Sequence, residues 1–220
     1  MSGIQQMLTG GTYKPAGPTT IGQAWGGGYY AGKIAVGGGG VATHYLIVAP
    51  KASGENSART WGTYGVTTGF TSLIDGPTNS AGEAALGAAY QAAVFCEGLT
   101  IGGYSDWYLP AANELEVLYY FLKPTTTANY TSSGSNTNAV SPEPISTNYT
   151  SGSPAQTSAG IGFRTGETNA FASSIYYSST EFNSIYAYDQ SLDSGRQLFN
   201  SANQGKNISR YVRAVRRIPI

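Results

Sequence analysis

The chain has 220 residues, of which only 11% are charged, and its 12 basic and 12 acidic residues cancel. An average soluble domain has about 25% charged residues, and nucleic-acid-binding proteins show a clustered excess of Lys and Arg, so this composition disfavours nucleic acid as a partner. Apolar residues make up 40% of the chain, which is enough to form a folded core. The 30 glycines and 17 tyrosines favour short strands and many turns over a helical bundle.

The chain has a single cysteine and a single histidine, which limits its chemistry. Cys96 alone cannot form an internal disulfide, and His44 alone cannot build a multi-histidine metal centre. We interpret Cys96 as a small buried residue and His44 as an ordinary strand residue. The sequence therefore predicts no metal ion and no cofactor.

Residues 1–20 predict an extended arm, because glycines and prolines interrupt every short periodic stretch. Such an arm is held in place by docking, so we expect it to bind sister subunits or other proteins of an assembly. The first residues lack the basic and apolar regions of a signal peptide, and no apolar run approaches the ~20 residues that span a bilayer. These features predict synthesis in a cytoplasm and no membrane insertion.

Two strands are predicted between Tyr29 and Ala49, joined by the glycine run at 37–40. A helix is predicted over 80–97, opened by a capping box in which the Ser80 hydroxyl accepts from the Glu83 amide. A second helix is predicted from about Ala111 to Leu122, after Pro110. Its apolar stripe at i, i+3, i+4 and i+7 is formed by Leu115, Leu118, Tyr119 and Leu122.

The region 124–172 is rich in Ser, Thr, Asn and Gly and predicts long polar surface loops inserted outside the core. Short strand-like segments return after Phe163 and continue to the C-terminus. The order of strands, two mid-chain helices, a polar insertion and further strands predicts an α+β fold with mainly antiparallel strands.

The most informative segment reads GGYSDWYLPAANEL at 102–115. It resembles a recurrent motif of the Lcl C-terminal domain family. Further segments resemble that family in the same order, at 21–30, 46–50, 61–62, 176–181 (YYSSTE) and 210–216 (RYVRAVR). The resemblance covers about residues 21–217 and implies one domain over 21–220, with a C-type-lectin-like or formylglycine-generating-enzyme-like architecture.

Seven residues of the matching motifs are expected to be structural: Asp106, Trp107, Pro110, Glu114, Glu181, Arg213 and Arg216. We expect the acidic and basic members to form ion pairs that close the fold, and Trp107 to be buried. Ala111 stands where the family has a helix-capping Ser or Thr, and the loss of that cap is expected to cost about 1 kcal/mol.

The opening segment and the arm resemble versions of the domain carried by tailed-phage virions. This resemblance implies a non-enzymatic virion protein, made in the host cytoplasm, that displays a lectin-like domain for attachment to a host glycan or protein. Tyr supplies large contact area with few rotatable bonds, so Tyr130, Tyr149, Tyr186 and Tyr188 are candidate contacts, with Tyr130 and Tyr149 expected to be exposed. Tyr176 is a further candidate.

Three alternatives remain open at this point. A decoration protein would bury the same loops against neighbouring subunits. A residual enzyme of the formylglycine-generating type would need paired cysteines, and a cellular adhesin would need an export signal. The region 124–172 and the turns near 186–203 are expected to face away from the arm.

Overall fold

The computed structural model describes residues 16–140, 144–145, 147–157, 162–198 and 205–220. The predicted arm lies largely outside them, at residues 1–15. The described strands are β1 (Ala24–Trp25), β2 (Gly28–Ile34), β3 (His44–Val48), β4 (Glu55–Arg59), β5 (Asn136–Val140), β6 (Pro144–Ile145), β7 (Ile175–Glu181), β8 (Ala187–Ser191), β9 (Gln197–Leu198), β10 (Arg210–Arg213) and β11 (Val215–Pro219). The described helices are α1 (Lys51–Gly54), α2 (Gly76–Ala85), α3 (Gln91–Glu97) and α4 (Ala112–Leu122).

The strands form two sheets. In the first, the order is β11-β3-β2-β5-β6, with β1 paired to β2, and every pairing is antiparallel. In the second, the order is β4-β10-β7-β8-β9, and the pairing of β10 with β7 is parallel while the others are antiparallel. The β2–β3 hairpin around the glycine run is confirmed, and the architecture is α+β as the sequence predicts.

The first core lies between α4 and one face of the first sheet. Its α4 side chains include the predicted stripe of Leu115, Leu118, Tyr119 and Leu122, all of them buried. On β2, Gly32 has a φ of +137°, and a Cβ there would lie 3.0 Å from the side chains of Val117 and Phe121. Glycine therefore allows α4 to approach the sheet closely.

The second core lies on the other face of the first sheet and contains two fully buried indoles, Trp61 and Trp107. The Trp107 ring nitrogen donates to the Tyr104 carbonyl at 3.1 Å, and the Trp61 ring nitrogen donates to the Ser178 carbonyl at 2.8 Å. The prediction that Trp107 is buried is confirmed. Cys96 of α3 is also buried in this core, as expected.

The single helix predicted over 80–97 is wrong, because the chain forms two helices there, α2 and α3. Gly87, between them, has a φ of +101°, which is incompatible with a continuous helix. Ser80 lies inside α2, and its hydroxyl accepts from the Leu109 amide at 3.0 Å, so the predicted capping box is also wrong. No helix in the described residues combines the length and apolar character required to cross a membrane.

The start of α4 is confirmed, and its missing cap is replaced from a distant strand. Ala111 has no side-chain oxygen to offer, but the Thr180 hydroxyl of β7 accepts from the Ala112 amide at 3.0 Å. The Glu114 carboxylate accepts from the Ala111 amide at 2.8 Å. Two of the free amides of the first turn are thus satisfied without a Ser or Thr at the N-cap.

The interpretation of 124–172 as loops outside the core is wrong in part. The first core includes four residues of this region: Ala139, Tyr149, Phe163 and Phe171. The Tyr149 ring packs against Tyr119 of α4 with centroids 5.3 Å apart, and the Phe171 ring packs against Tyr176 at 5.4 Å. The aromatic residues scattered among Ser, Thr and Asn therefore anchor these loops to the core.

Candidate functional site

The motif acids and arginines form ion pairs, but only one pair joins two of the predicted members. Arg216 binds Asp106 in bidentate geometry, with Nε and Nη2 donating to the two carboxylate oxygens at 2.7 and 2.8 Å. Glu114 pairs with Arg217 at 2.6 Å, and Arg213 pairs with Glu55 at 3.0 Å. The predicted pairing between motif members is therefore confirmed for Asp106 with Arg216 and is wrong for Glu114 and Arg213, whose partners depend on strand register.

The Glu114 carboxylate joins the start of α4 to the last strand. It accepts from the Tyr108 hydroxyl at 2.6 Å as well as from Arg217 and the Ala111 amide. Burial raises the pKa of Glu114, although these donors oppose the shift. All the polar contacts of this carboxylate are internal, which supports its structural role. Nearby, the Pro110 carbonyl accepts from the Ser179 amide at 2.8 Å, which ties the same corner to β7.

A second buried pair, Lys206 with Glu181, organises the loop between β4 and α2. Both side chains are almost completely buried, and the Lys206 ammonium contacts the Glu181 carboxylate directly. Lys206 also donates to the Val66 carbonyl at 2.9 Å. The same carboxylate accepts from the backbone amides of Thr68 and Gly69 at 2.8 and 2.7 Å. One ion pair therefore holds the loop segment 66–69 against the end of β7.

The electrostatics of this pair follow from burial and hydrogen bonding. Burial alone would raise the pKa of Glu181, but the donors Lys206, Thr68 and Gly69 outweigh it and hold that pKa below its usual range. Burial lowers the pKa of Lys206, and Glu181 opposes this shift. The Lys206 ammonium also lies 4.6 Å from the centroid of the Trp61 ring. These interactions favour a fixed, ionised pair.

Burial favours the neutral forms of two further titratable groups, Glu83 and Cys96. Burial, with the nearby Glu181 charge, raises the pKa of the Glu83 carboxyl well above its usual range. Burial likewise raises the pKa of the Cys96 thiol, so it is neither a thiolate nor a ready nucleophile.

His44 lies in β3 as predicted, with Nδ1 2.9 Å from the Thr43 hydroxyl. Burial lowers its pKa.

The chain segments next to the Lys206–Glu181 pair carry several exposed apolar side chains. We call this surface the aromatic patch and define it by Tyr64, Val66, Phe182, Tyr186, Tyr188 and Ile208. Four of these are large apolar groups that remain open to solvent, with exposures of 56% for Tyr64, 44% for Val66, 38% for Ile208 and 37% for Phe182. Large side chains of this kind, when grouped on a surface, mark sites of interaction.

Backbone contacts bring the members of the aromatic patch together. The Gly65 amide donates to the Ser184 carbonyl at 2.9 Å, which joins the 64–66 loop to the β7–β8 turn. The Phe182 amide donates to the Tyr186 carbonyl at 3.0 Å, and the Phe182 and Tyr188 rings meet edge to face at 5.5 Å. A Cβ at Gly205 would lie 3.1 Å from the Tyr64 ring, so Tyr64 packs over that glycine.

The predicted tyrosine contacts divide into two groups. Tyr186 and Tyr188 are partly exposed members of the aromatic patch, and Tyr130 is 43% exposed beneath the guanidinium of Arg196, 5.1 Å from its ring centroid. The expectation that Tyr149 is exposed is wrong, because it is 4% exposed and donates to the buried Glu116 carboxylate at 2.7 Å. Tyr176 is fully buried and cannot serve as a surface contact either.

Sequence reasoning missed four residues of the aromatic patch: Tyr64, Val66, Phe182 and Ile208. Phe182 directly follows the motif acid Glu181, at the point where β7 ends in a turn. A large apolar side chain in a turn is commonly exposed, so the sequence could have indicated Phe182 as a surface contact. Tyr64 could have been found from a weaker signal, because it is an aromatic residue beside Gly65 in a turn-rich segment.

Comparison of the sequence with models of protein families and with curated proteins gives no match.

Proposed function

We propose that this chain is a non-enzymatic protein of a tailed-phage virion, and that it displays a lectin-like domain whose aromatic patch attaches the particle to its host. The virion assignment and the lectin-like architecture rest on the ordered resemblance of motifs over about residues 21–217. The attachment role rests on one structural observation. Exposed apolar and aromatic side chains are carried by three segments, at 64–66, 182–188 and 208, next to a buried ion pair that holds the first of them in place.

The chemistry of the patch suits contact with another surface. Tyr and Phe contribute large contact areas at a low cost in side-chain entropy, and residues of this kind dominate the energetics of binding interfaces. The backbone beneath them is fixed by the Glu181 carboxylate and the Lys206 ammonium, so little order has to be gained on binding. Many copies on one particle would turn weak individual contacts into stable adsorption.

Particle adsorption tests the attachment role. We expect Tyr64→Ser and Phe182→Ser, each introduced into the virion protein, to slow adsorption to host cells by about tenfold or more, because a central aromatic contact is worth about 2 kcal/mol. Val41→Ser is the matched control. Val41 is 73% exposed but lies in the β2–β3 connection of the first sheet, away from the patch.

Two outcomes would contradict the proposal. Adsorption that is equal for the patch variants, the control variant and the unchanged particle would exclude the patch as the attachment surface. Loss of the protein from purified particles in the patch variants alone would show that the patch binds neighbouring subunits. That second result would favour the decoration protein.

A further inference from the structure

A buried acid of α2, Glu83, has no direct polar partner. Its side chain is fully buried, and neither of its carboxyl oxygens has a hydrogen-bond partner among the described residues. Burying a polar group without a partner costs free energy, so such groups are rare in folded proteins and occur mainly where a function requires them. The exception at Glu83 therefore points to a role for its proton.

Glu83 lies beside the Lys206–Glu181 pair and turns it into a group of two acids and one base, which we call the buried triad. The charges of Glu181 and Lys206 both act on the Glu83 carboxyl, in opposite directions. Packing holds α2 in this place, because a Cβ at Gly82 would lie 2.2 Å from the Phe70 ring of the loop that precedes the helix. The Phe70 carbonyl in turn accepts from the Glu181 amide at 2.8 Å. One ammonium can neutralise only one of the two carboxylates.

The proton on Glu83 decides the charge of the buried triad. When Glu83 is protonated, the triad is neutral and the Lys206 ammonium binds Glu181 alone. When Glu83 is ionised, the triad holds one uncompensated negative charge in a region closed to water, which is strongly unfavourable. Burial and the Glu181 charge accordingly raise the pKa of Glu83 well above its usual range. The closed structure thus favours the protonated acid.

The other titratable groups around Glu83 do not supply a second cation. From α3, Glu97 adds a further negative charge to the surroundings of Glu83. Burial raises the pKa values of Cys96 and Tyr90, so neither is ionised near neutral pH. Arg59 of β4 acts on Cys96, whereas Lys206 is the cation that acts on Glu83.

Lys206 connects the buried triad to the aromatic patch. Its ammonium donates to the Val66 carbonyl at 2.9 Å, and its backbone carbonyl accepts from the Trp61 amide at 2.8 Å. Its backbone amide donates to the Ile185 carbonyl at 2.9 Å, so one residue ties the segment at 61–66 to the β7–β8 turn. A shift of the ammonium toward a second carboxylate would break its bond to Val66 and release this side of the patch.

We propose that Glu83 is a proton-operated latch for the aromatic patch, whose protonated form keeps the loop at 64–69 closed and whose ionised form lets it open. The closed form binds the proton more tightly than the open form does, and the proton passes to solvent on opening. Opening therefore becomes easier as the pH rises, by up to about tenfold for each pH unit. The inference concerns how the patch is held, and it does not depend on the attachment role proposed above.

Hydrogen–deuterium exchange of the purified full-length protein tests the latch, read by mass spectrometry and corrected for the intrinsic pH dependence of exchange. From about pH 5 to about pH 8, we expect the opening constant of segment 64–69 to rise by about tenfold or more. Glu83→Gln cannot ionise and should remove most of that rise. Glu116→Gln is the matched control, since it removes a buried acid of the first core, and it should leave the rise in place.

Glu83→Met is a second variant that brings no polar group into this buried place. It should keep segment 64–69 protected at both pH values and should resist urea at about pH 8 at least as well as the unchanged protein does. Circular dichroism would establish that the variants are folded. The proposal is overturned if exchange of 64–69 does not depend on pH, if the rise persists in both Glu83 variants, or if Glu116→Gln removes it to the same extent.

Discussion

Thr180 shows how one distant side chain can replace a local signal. Its hydroxyl accepts from the Ala112 amide at 3.0 Å and donates to the Ser72 carbonyl at 2.8 Å. It therefore caps α4 and also holds the segment that precedes α2. The N-cap position itself, Ala111, contributes nothing to this cap from its side chain. The expected loss of about 1 kcal/mol at Ala111 is thus offset by a residue 69 positions later in the chain.

The first prediction concerns this hydroxyl. Thr180→Val keeps the shape of the side chain but leaves the Ala112 amide without its acceptor, whereas the Ser72 carbonyl loses one of its two donors and keeps the Asn79 side chain. We therefore expect the free energy of unfolding to fall by about 1–3 kcal/mol. Thr180→Ser retains the hydroxyl and should lose less than half as much. Urea denaturation of the three proteins measures both values. Equal stability of the Val variant and the unchanged protein would show that the cap contributes nothing.

At the scale of elements, the local patterns with the strongest physical cause were predictable. The apolar stripe of α4 and the glycine turn of the β2–β3 hairpin depend only on residues that are close together in the sequence. Both predictions are confirmed. The break between α2 and α3 was not predicted, because the alanine-rich sequence on both sides of Gly87 masks it. The partners of Glu114 and Glu181 were not predictable either, because they come from distant segments whose register the sequence does not show.

The candidate surface was predictable only in part for the same reason. Tyr186 and Tyr188 were identified because tyrosines recur in a polar region, and both belong to the aromatic patch. Tyr149 lies in an equally polar region but faces α4, where its hydroxyl donates a hydrogen bond to the Glu116 carboxylate. Composition alone does not show which way a side chain points. The loop that carries Tyr64 joins the patch through the Lys206–Glu181 pair, which links segments far apart in the sequence.

The second prediction tests that ion pair. Lys206→Met leaves the buried Glu181 carboxylate without its cation, so we expect the free energy of unfolding to fall by about 3–5 kcal/mol. The double variant Lys206→Met with Glu181→Gln removes the unpaired charge and should be more stable than Lys206→Met alone. Thermal denaturation of the single and double variants gives the comparison. If the two changes are simply additive, the pair does not act as a unit.

At the scale of the whole molecule, buried carboxyl groups couple stability to pH, and Glu116 and Asp189 show how. Burial raises the pKa of Glu116 to about 7, against hydrogen bonds from Asn136 and Tyr149. Burial also raises the pKa of Asp189 to about 7, against the opposing charge of Arg210, whose Nε lies 3.6 Å away. The folded protein therefore binds these two protons more tightly than the unfolded chain does, for which carboxyl pKa values are about 4.

The third prediction follows from the sign of these shifts. The stabilising contribution of each group is complete below about pH 4 and is lost as the pH rises through about 7, at up to about 1.4 kcal/mol for each pH unit. We expect the Tm to fall between pH 5 and pH 8. Glu116→Gln and Asp189→Asn should each reduce that slope. Glu83, Glu97 and Glu114 also have raised pKa values and contribute with the same sign. His44, with its lowered pKa, contributes with the opposite sign, and Glu181 titrates below this range. A Tm that is independent of pH, or that rises across this range, would contradict the assignment.

The central claim is that the aromatic patch is the outward contact surface of an assembled particle. Hydroxyl-radical footprinting of intact virions, read by mass spectrometry, measures the accessibility of Tyr64 and Phe182 directly. The proposed function predicts strong labelling of both residues on free particles and protection on particles bound to host cells, while Val41 is labelled equally in the two states. Protection of Tyr64 and Phe182 on free particles would contradict it, because the patch would then be buried against neighbouring subunits.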